Sequence, residues 1–252
     1  ICGFIASTVL RGVKFILFPT TLLSQVDSSI GGKNGINTKL GKNLIGTFYQ
    51  PDKVFIDPKI LVSLPKREIK SGYAEIVKHA LIRDFSFFIW LDKNYNKIFK
   101  LKTKELEYAI YKSIKIKAKF VNTDPKEKLK NKHSRALLNF GHTYGHALET
   151  LHKYKNTLTH GESISIGMII ASKISNNISS LKKKQLEMII NHFNKVGLPI
   201  DNNSIKSKKI FKLIKKDKKN IGNKINLILL KKIGEAYYCR NVDQKTISKI
   251  IN

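Results

Sequence analysis

Between Gln25 and Asn37 the chain reads QVDSSIGGKNGIN, with paired glycines and a lysine shortly after the apolar run VKFILF. A triphosphate-binding loop would need a glycine five positions before the Gly-Lys pair and a Ser or Thr after the lysine. Asp27 and Asn34 hold those positions. A carboxylate there repels polyphosphate, and an amide is a poor substitute for the hydroxyl that holds Mg²⁺. What remains is a glycine-rich loop after a predicted strand, with an anion six residues before a cation. In α/β proteins such loops at strand C-termini are where ligands bind. A plain turn is the other reading of this loop taken alone, so the surrounding chain decides.

Working outward, residues 1–14 predict a helix with Ile5, Val9 and Val13 on one face. KFILFPTT predicts a short buried strand ended by Pro19, and KVFIDP, from Lys53 to Pro58, predicts another. From Pro65 onward the periodicity is helical: KREIKSGYAEIVKHALI, KELEYAIYKSIKIKAKFVN, HTYGHALETLH, GESISIGMIIASKIS and KKKQLEMIINHFNKVG. KINLILL predicts a late strand or hairpin with the segment around GEAYYC. The pattern thus changes near residue 58. This gives an α/β plus α chain, with an α/β part over 1–57 and a mainly α-helical part over 58–252. No internal repeat is present.

A chain of 252 residues with 42% hydrophobic residues can bury a sizeable core. It has no run of about 20 uncharged apolar residues, which argues against a membrane span; Arg11 and Lys14 interrupt the apolar start. Cys2 and Cys239 are too few for a disulfide framework, so a reducing, cytoplasmic setting is expected. The chain begins with Ile1 rather than Met, and we expect residues upstream of it. The net charge of +29 raises nucleic-acid binding, but only five of the 47 basic residues are arginine. Arginine is the side chain that forks onto phosphates and base edges. Lysine accompanied by abundant Ile and Asn is what an AT-rich coding sequence produces, so no specific nucleic-acid partner is expected. Salt-sensitive adhesion to polyanions is.

Three stretches carry chemistry. In RALLNFGHTYGHALE, His142 and His146 lie four apart on one helix face, as imidazoles that share an ion often do. LTHGES puts His160 just before a helix predicted from Gly161, and SGYAEIVKHA places Glu75 with Lys78 at i+3 and His79 at i+4. Each has a plainer alternative: a hydrogen-bonded histidine, a chance HxxxH pair, a surface ion pair. Together, a Glu and His residues from separate helices would make a three-ligand site with an open position, as catalytic zinc requires. Spacing does not choose between His142 and His146.

FPTTLLSQVDSSIGGKNGIN, LGKNLIGTFYQP, GYAEIVKHALI, RALLNFGHTYGHALE, THGESISIGM and DKKN…INLILLKKIGEAY, in that order, resemble the 3-dehydroquinate synthase family of the shikimate pathway from about residue 3 to residue 240. The resemblance implies a lyase that uses NAD and Zn²⁺ or Co²⁺ to convert the anionic sugar phosphate DAHP into 3-dehydroquinate and phosphate. It implies that residues 1–57 are the C-terminal part of a Rossmann-like NAD-binding domain and that 58–252 bind metal and substrate. By the same matching, Glu75, His142 and His160 would be the metal ligands. Asp27, Lys33, Lys78 and His146 would be catalytic. Thr20, Thr21, Lys33, Lys42 and Ile60, Leu61, Val62 and Ser63 would contact NAD. Asn43, Lys117, Arg135, Asn139, Lys218 and Lys219 would bind substrate, with Arg11 reaching it from the partner subunit of a homodimer.

The implied chemistry suits these residue types. A phosphate and a carboxylate call for Lys, Arg and Asn around them, a metal polarises the hydroxyl being oxidised, and the cofactor does the redox work. Transient oxidation acidifies the neighbouring proton; phosphate then leaves, hydride returns and an intramolecular aldol step closes the ring. Two departures qualify the match. The family's glycine-rich pyrophosphate turn lies upstream of ICGFIAS, so weak NAD binding, and with it little or no phosphate release, is expected of these 252 residues alone. PKEKLKNKHSR, before the Arg135 block, is longer than the family pattern and lacks its glycine; we expect a solvated, tolerated loop. A metal-dependent alcohol or polyol dehydrogenase would share the layout without needing the Lys/Arg/Asn cluster. A non-catalytic, lysine-rich remnant is the other alternative.

Overall fold

The computed structural model describes residues 1–38, 41–129, 131–152, 157–203, 208–215 and 224–251. Helix α1, Cys2–Thr8, is shorter than the predicted 1–14 helix. The chain leaves it through left-handed backbone at Leu10 (φ 47°) and Arg11 (φ 66°), which breaks the helical path. The two predicted strands shrink to β1, Ile16–Leu17, and β4, Lys53–Val54, paired in parallel, and β1 is not the buried strand expected, since Ile16 and the following Phe18 are exposed.

Between them lies an antiparallel hairpin that the sequence reading did not foresee. Strands β2, Lys33–Thr38, and β3, Gly41–Phe48, pair with Lys33 opposite Phe48 and Gly35 opposite Gly46. Their Gly, Asn and Lys content is poor in strand formers, so pairing rather than propensity makes the strand.

The helical part follows. It comprises α2, Lys66–Arg83, α3, Phe85–Phe99, and α4, Thr103–Thr123. Then come α5, His142–Leu151, α6, His160–Ile178, α7, Lys183–Val196, and α8, Lys208–Lys215. The antiparallel pair β5, Lys224–Lys232, and β6, Glu235–Asp243, forms the expected late hairpin, and α9, Gln244–Ile251, ends the description. Helix α3 escaped the sequence reading because its aromatic-rich start, FSFFIW, has modest helix propensity. Its signal was the cap: the Asp84 carboxylate accepts the Phe87 N–H at 2.8 Å.

Helices α2 and α6 form the core. Every residue of α2 from Ser71 to Ile82 is buried, and so are nearly all residues of α6 from Gly161 to Ser175. A helix buried on all sides packs against several partners at once. Two glycines set the spacing. A Cβ on Gly161 would lie 2.1 Å from the Ser71 carbonyl oxygen, so the start of α6 rests on the backbone of α2. A Cβ on Gly167 would lie 2.0 Å from the Gly141 carbonyl oxygen at the start of α5. Replacement of Gly167 by Ala should therefore push α5 and α6 apart and cost about 1–3 kcal/mol or more, measured by denaturant unfolding of the metal-free chain.

Candidate active site

The site is assembled where α2, α5 and α6 meet. Glu75 projects from the middle of α2 and has no exposure to solvent. His142 opens α5 and His160 opens α6. The His160 Nε2 lies 3.4 Å from Glu75 Oε1, and the His142 Nε2 lies 3.9 Å from the same oxygen. One ligand atom from each of the three sits within 4.8 Å of the others, close enough to share one cation. Glu75 Oε2 pairs with Lys78, whereas the buried Oε1, which faces both imidazoles, lacks a well-formed hydrogen bond. Such an acceptor calls for a positive charge, and a divalent cation fits.

Local structure fixes each imidazole. The Nδ1 of His142 faces the Phe140 carbonyl at 3.1 Å, and the Nδ1 of His160 faces the Glu149 carboxylate at 2.8 Å. In each ring Nε2 is thus turned to the centre. Thr159 and Glu162 form a reciprocal capping box at the start of α6. Arg67, from α2, clamps Glu162 with two hydrogen bonds of 2.9 and 2.7 Å and also reaches the Thr157 carbonyl. His146 lies on the exposed side of α5, its ring 5.1 Å from that of His142 and 6.4 Å from that of His160.

Cations and further acids adjoin this centre. Lys78, also buried, pairs with Glu75 one turn earlier. Lys117, from α4, pairs with Asp27 and also donates to the Asp27 carbonyl. Asp27, Glu75 and His79 form a second set of possible ligands within 4.8 Å, but Lys117 and Lys78 already supply positive charge there. We therefore read that set as an acid–lysine network.

Burial alone would raise the Glu75 carboxyl. Lys78, His160 and His142 more than reverse this and hold it well below the usual range. Asp27 behaves alike: burial works upward, Lys117 and Lys78 downward, and the net effect is a lowered value. His142 is driven well down by burial and by Lys78, so it stays neutral, as a ligand must. Burial opposes charge on His160, yet its hydrogen bonds to Glu149 and Glu75 raise it to about 9.

The remaining predicted residues fall in several places. Lys33, at the start of β2, pairs with Glu127, which also accepts from the Asn139 amide at 2.7 Å. Arg135 is buried and donates to the carbonyls of Gly31 and Pro125, both at 2.7 Å, so it ties the glycine loop to the segment before α5. Thr21 exchanges hydrogen bonds with Ser24, and Thr20 is exposed. Ile60, Val62 and Ser63 are exposed while Leu61 lies in the core. Arg11 is exposed on the turn after α1. Lys42 and Asn43 lie on β3, but their side chains, like Lys218 and Lys219 entirely, fall outside the described residues.

Sequence reasoning missed Glu127, Glu149 and Ser113. Glu127 sits in the loop read as solvated, with no motif to mark it. Glu149 follows His146 by three residues, a spacing that carries no signal of its own. The plainer alternative for Glu75, an ion pair with Lys78 or His79 on an exposed face, does not hold: His79 is fully buried, with Nδ1 2.5 Å from the Ser113 hydroxyl.

Models of the two halves of 3-dehydroquinate synthase match the chain, the N-terminal one over residues 1–71 and the C-terminal one over 72–220. A 3-dehydroquinate synthase from Pelagibacter ubique is 49% identical over 252 residues, with 98% of this chain and 67% of the relative covered. A 2-deoxy-scyllo-inosose synthase solved with carbaglucose-6-phosphate, NAD⁺ and Co²⁺ superimposes with a TM-score of 0.84 at 30% identity, covering 99% of this chain and 69% of that one. The 2-epi-5-epi-valiolone synthase ValA from Streptomyces hygroscopicus, solved with NAD⁺ and Zn²⁺, shares the fold with a TM-score of 0.89 at 23% identity, covering 99% and 68%. This chain spans about two thirds of the length of these proteins.

Burial and the neighbouring Lys78 push His79 down to about 3, from an ordinary value of 6.5. The unfolded chain takes up a proton near pH 6.5 that the folded chain refuses, so stability falls as pH drops below 6.5 toward 3. Replacing His79 with Gln should flatten that decline by up to about 1.4 kcal/mol per pH unit. Denaturant titrations of metal-free wild type and variant between pH 7 and 4 check this.

Proposed function

Because the chain belongs to the 3-dehydroquinate synthase family, we propose that it carries the metal and substrate chemistry of that enzyme, the conversion of DAHP to 3-dehydroquinate and phosphate. The observation that carries this reading is the convergence of Glu75, His142 and His160 beside Lys78 and Lys117. In this reading the first three residues hold Zn²⁺ or Co²⁺. Bound metal and NAD would supply, respectively, polarisation of a substrate hydroxyl and reversible acceptance of a hydride.

The chain's own residues do the rest by charge and placement. Lys78 and Lys117 present ammonium groups from a buried face, where an anion gains more from them than in water. Each already neutralises a carboxylate, so arriving substrate anions share these cations with Glu75 and Asp27. Lys33 and Asn139, held by Glu127, offer further donors at the rim. His146 faces the rings of His142 and His160 from the exposed side, in position to pass a proton between substrate and solvent.

The NAD contacts are assigned to loops that follow parallel strands. Thr20 and Thr21 come after β1, and Ile60 to Ser63 come after β4, at the strand ends where α/β proteins take ligands. We assign residues 1–57 to the cofactor side and 58–252 to the metal and substrate side. The protein would act as a homodimer, with Arg11 of one subunit serving the other's substrate. Among the described residues no helix is long and apolar enough to cross a membrane. Both cysteines are free, which accords with the cytoplasm.

Zinc should bind at about one ion per wild-type chain, and His142→Ala should abolish that binding. Whatever phosphate release from DAHP the chain shows should require both NAD⁺ and zinc, and Glu75→Ala should abolish it. Wild-type protein that takes up no zinc would overturn the reading. Zinc uptake without NAD-dependent release would confine the chain to metal and anion binding.

A further inference from the structure

Resting on this metal-site reading, we propose that Glu149 is a positioning residue of the centre. It fixes the tautomer and the aim of His160 and thereby sets the affinity for the divalent ion.

The geometry leaves His160 little choice. An imidazole has two nitrogens, and both are committed: Nδ1 lies 2.8 Å from a Glu149 oxygen, and Nε2 lies 3.4 Å from Glu75 Oε1. A carboxylate accepts only, so Nδ1 must carry a proton in this pair and Nε2 is the nitrogen that faces the metal position. The Glu149 side chain is only 10% exposed, so the pair is not a loose surface contact. It also joins two elements, since Glu149 stands near the end of α5 and His160 opens α6. The contact therefore sets the direction of the α6 ligand from the helix that carries His142.

The two histidines differ in their outer partners. Behind His142 stands a neutral acceptor, the Phe140 carbonyl. Behind His160 stands a carboxylate, which makes the ring a stronger donor to a cation. The charges make this difference matter. Lys78 already sets one positive charge against Glu75, so a divalent ion arriving there meets a cancelled carboxylate. Glu149 brings a second negative charge, transmitted through the His160 ring. An outer carboxylate of this kind is worth about 10–100-fold in metal affinity.

The test uses the full 252-residue chain and measures the zinc dissociation constant by chelator competition. Wild type is compared with Glu149→Ala, Glu149→Gln and His142→Ala. Glu149→Ala should weaken zinc binding by about 10–100-fold and alter the visible spectrum of the cobalt-substituted protein. Glu149→Gln keeps an acceptor oxygen for Nδ1, so it should recover the cobalt spectrum and part of the lost affinity. A role only in folding predicts otherwise: a lower thermal midpoint for the metal-free variants, with zinc affinity and cobalt spectrum as in wild type. That result would overturn the inference. If the Ala variant does not fold, the Gln variant decides, and affinity within about twofold of wild type refutes the proposal. If wild type binds no zinc, or binds it as well after His142→Ala, the metal-site reading falls and this inference with it. If wild-type binding is lost on His142→Ala but unchanged in both Glu149 variants, only the inference falls.

Discussion

The structure depends on a carboxylate withdrawn wholly from water. Glu75 sits in the middle of α2 with no exposure, and the penalty for burying such an ion is several kcal/mol even after relaxation. The groups around it answer that charge. Lys78 comes from the same helix, His142 and His160 come from two others, and a divalent ion would complete the set. Removing Lys78 would leave an uncompensated charge in the interior, and the contacts with the two imidazoles hold three helices together and prepare the chemistry.

Charge compensation at this depth requires backbones to come unusually close. The contacts of Gly161 with Ser71 and of Gly167 with Gly141 are near enough that neither position has room for a methyl group. They set the start of α6 against α2 and the start of α5 against the middle of α6, and both imidazoles emerge from helix starts. At a helix start the backbone N–H groups lack intrahelical partners and the end of the helix dipole is positive. The anionic character expected of the substrate and the placement of its binding residues thus follow from one packing decision.

Much of this was legible in the chain. The i, i+4 histidines marked a helix face, and SGYAE and THGES carried the small residues that permit close approach. Periodicity alone could not say which histidine of the pair turns inward. That depends on where α2 lies, and the structure sets His142 against Glu75 while His146 stays exposed. The short parallel strands were found in place but overestimated in length. The β2–β3 hairpin was missed because its residues favour strand only once paired. Glu127 and Glu149 were invisible for a related reason. Each acts through a tertiary contact, with Lys33 and with His160, and no local pattern distinguishes them from surface acids. Lys218 and Lys219, which the sequence pointed to, fall outside the described residues.

Asp124 fastens the loop that carries one such contact. One oxygen of its buried carboxylate accepts the Lys128 N–H at 2.8 Å; the other accepts those of Leu129 at 3.2 Å and Arg135 at 3.0 Å. Both feet of the excursion between Leu129 and Arg135 are therefore fastened to one side chain. Glu127 lies inside the fastened part, and the exposed Asn131 and Lys132 lie between the two fastened ends. The chain can be opened there, or made to carry a tag, without the strain reaching Lys33 or Asn139. This makes the loop a junction at which the polypeptide can be cut and rejoined.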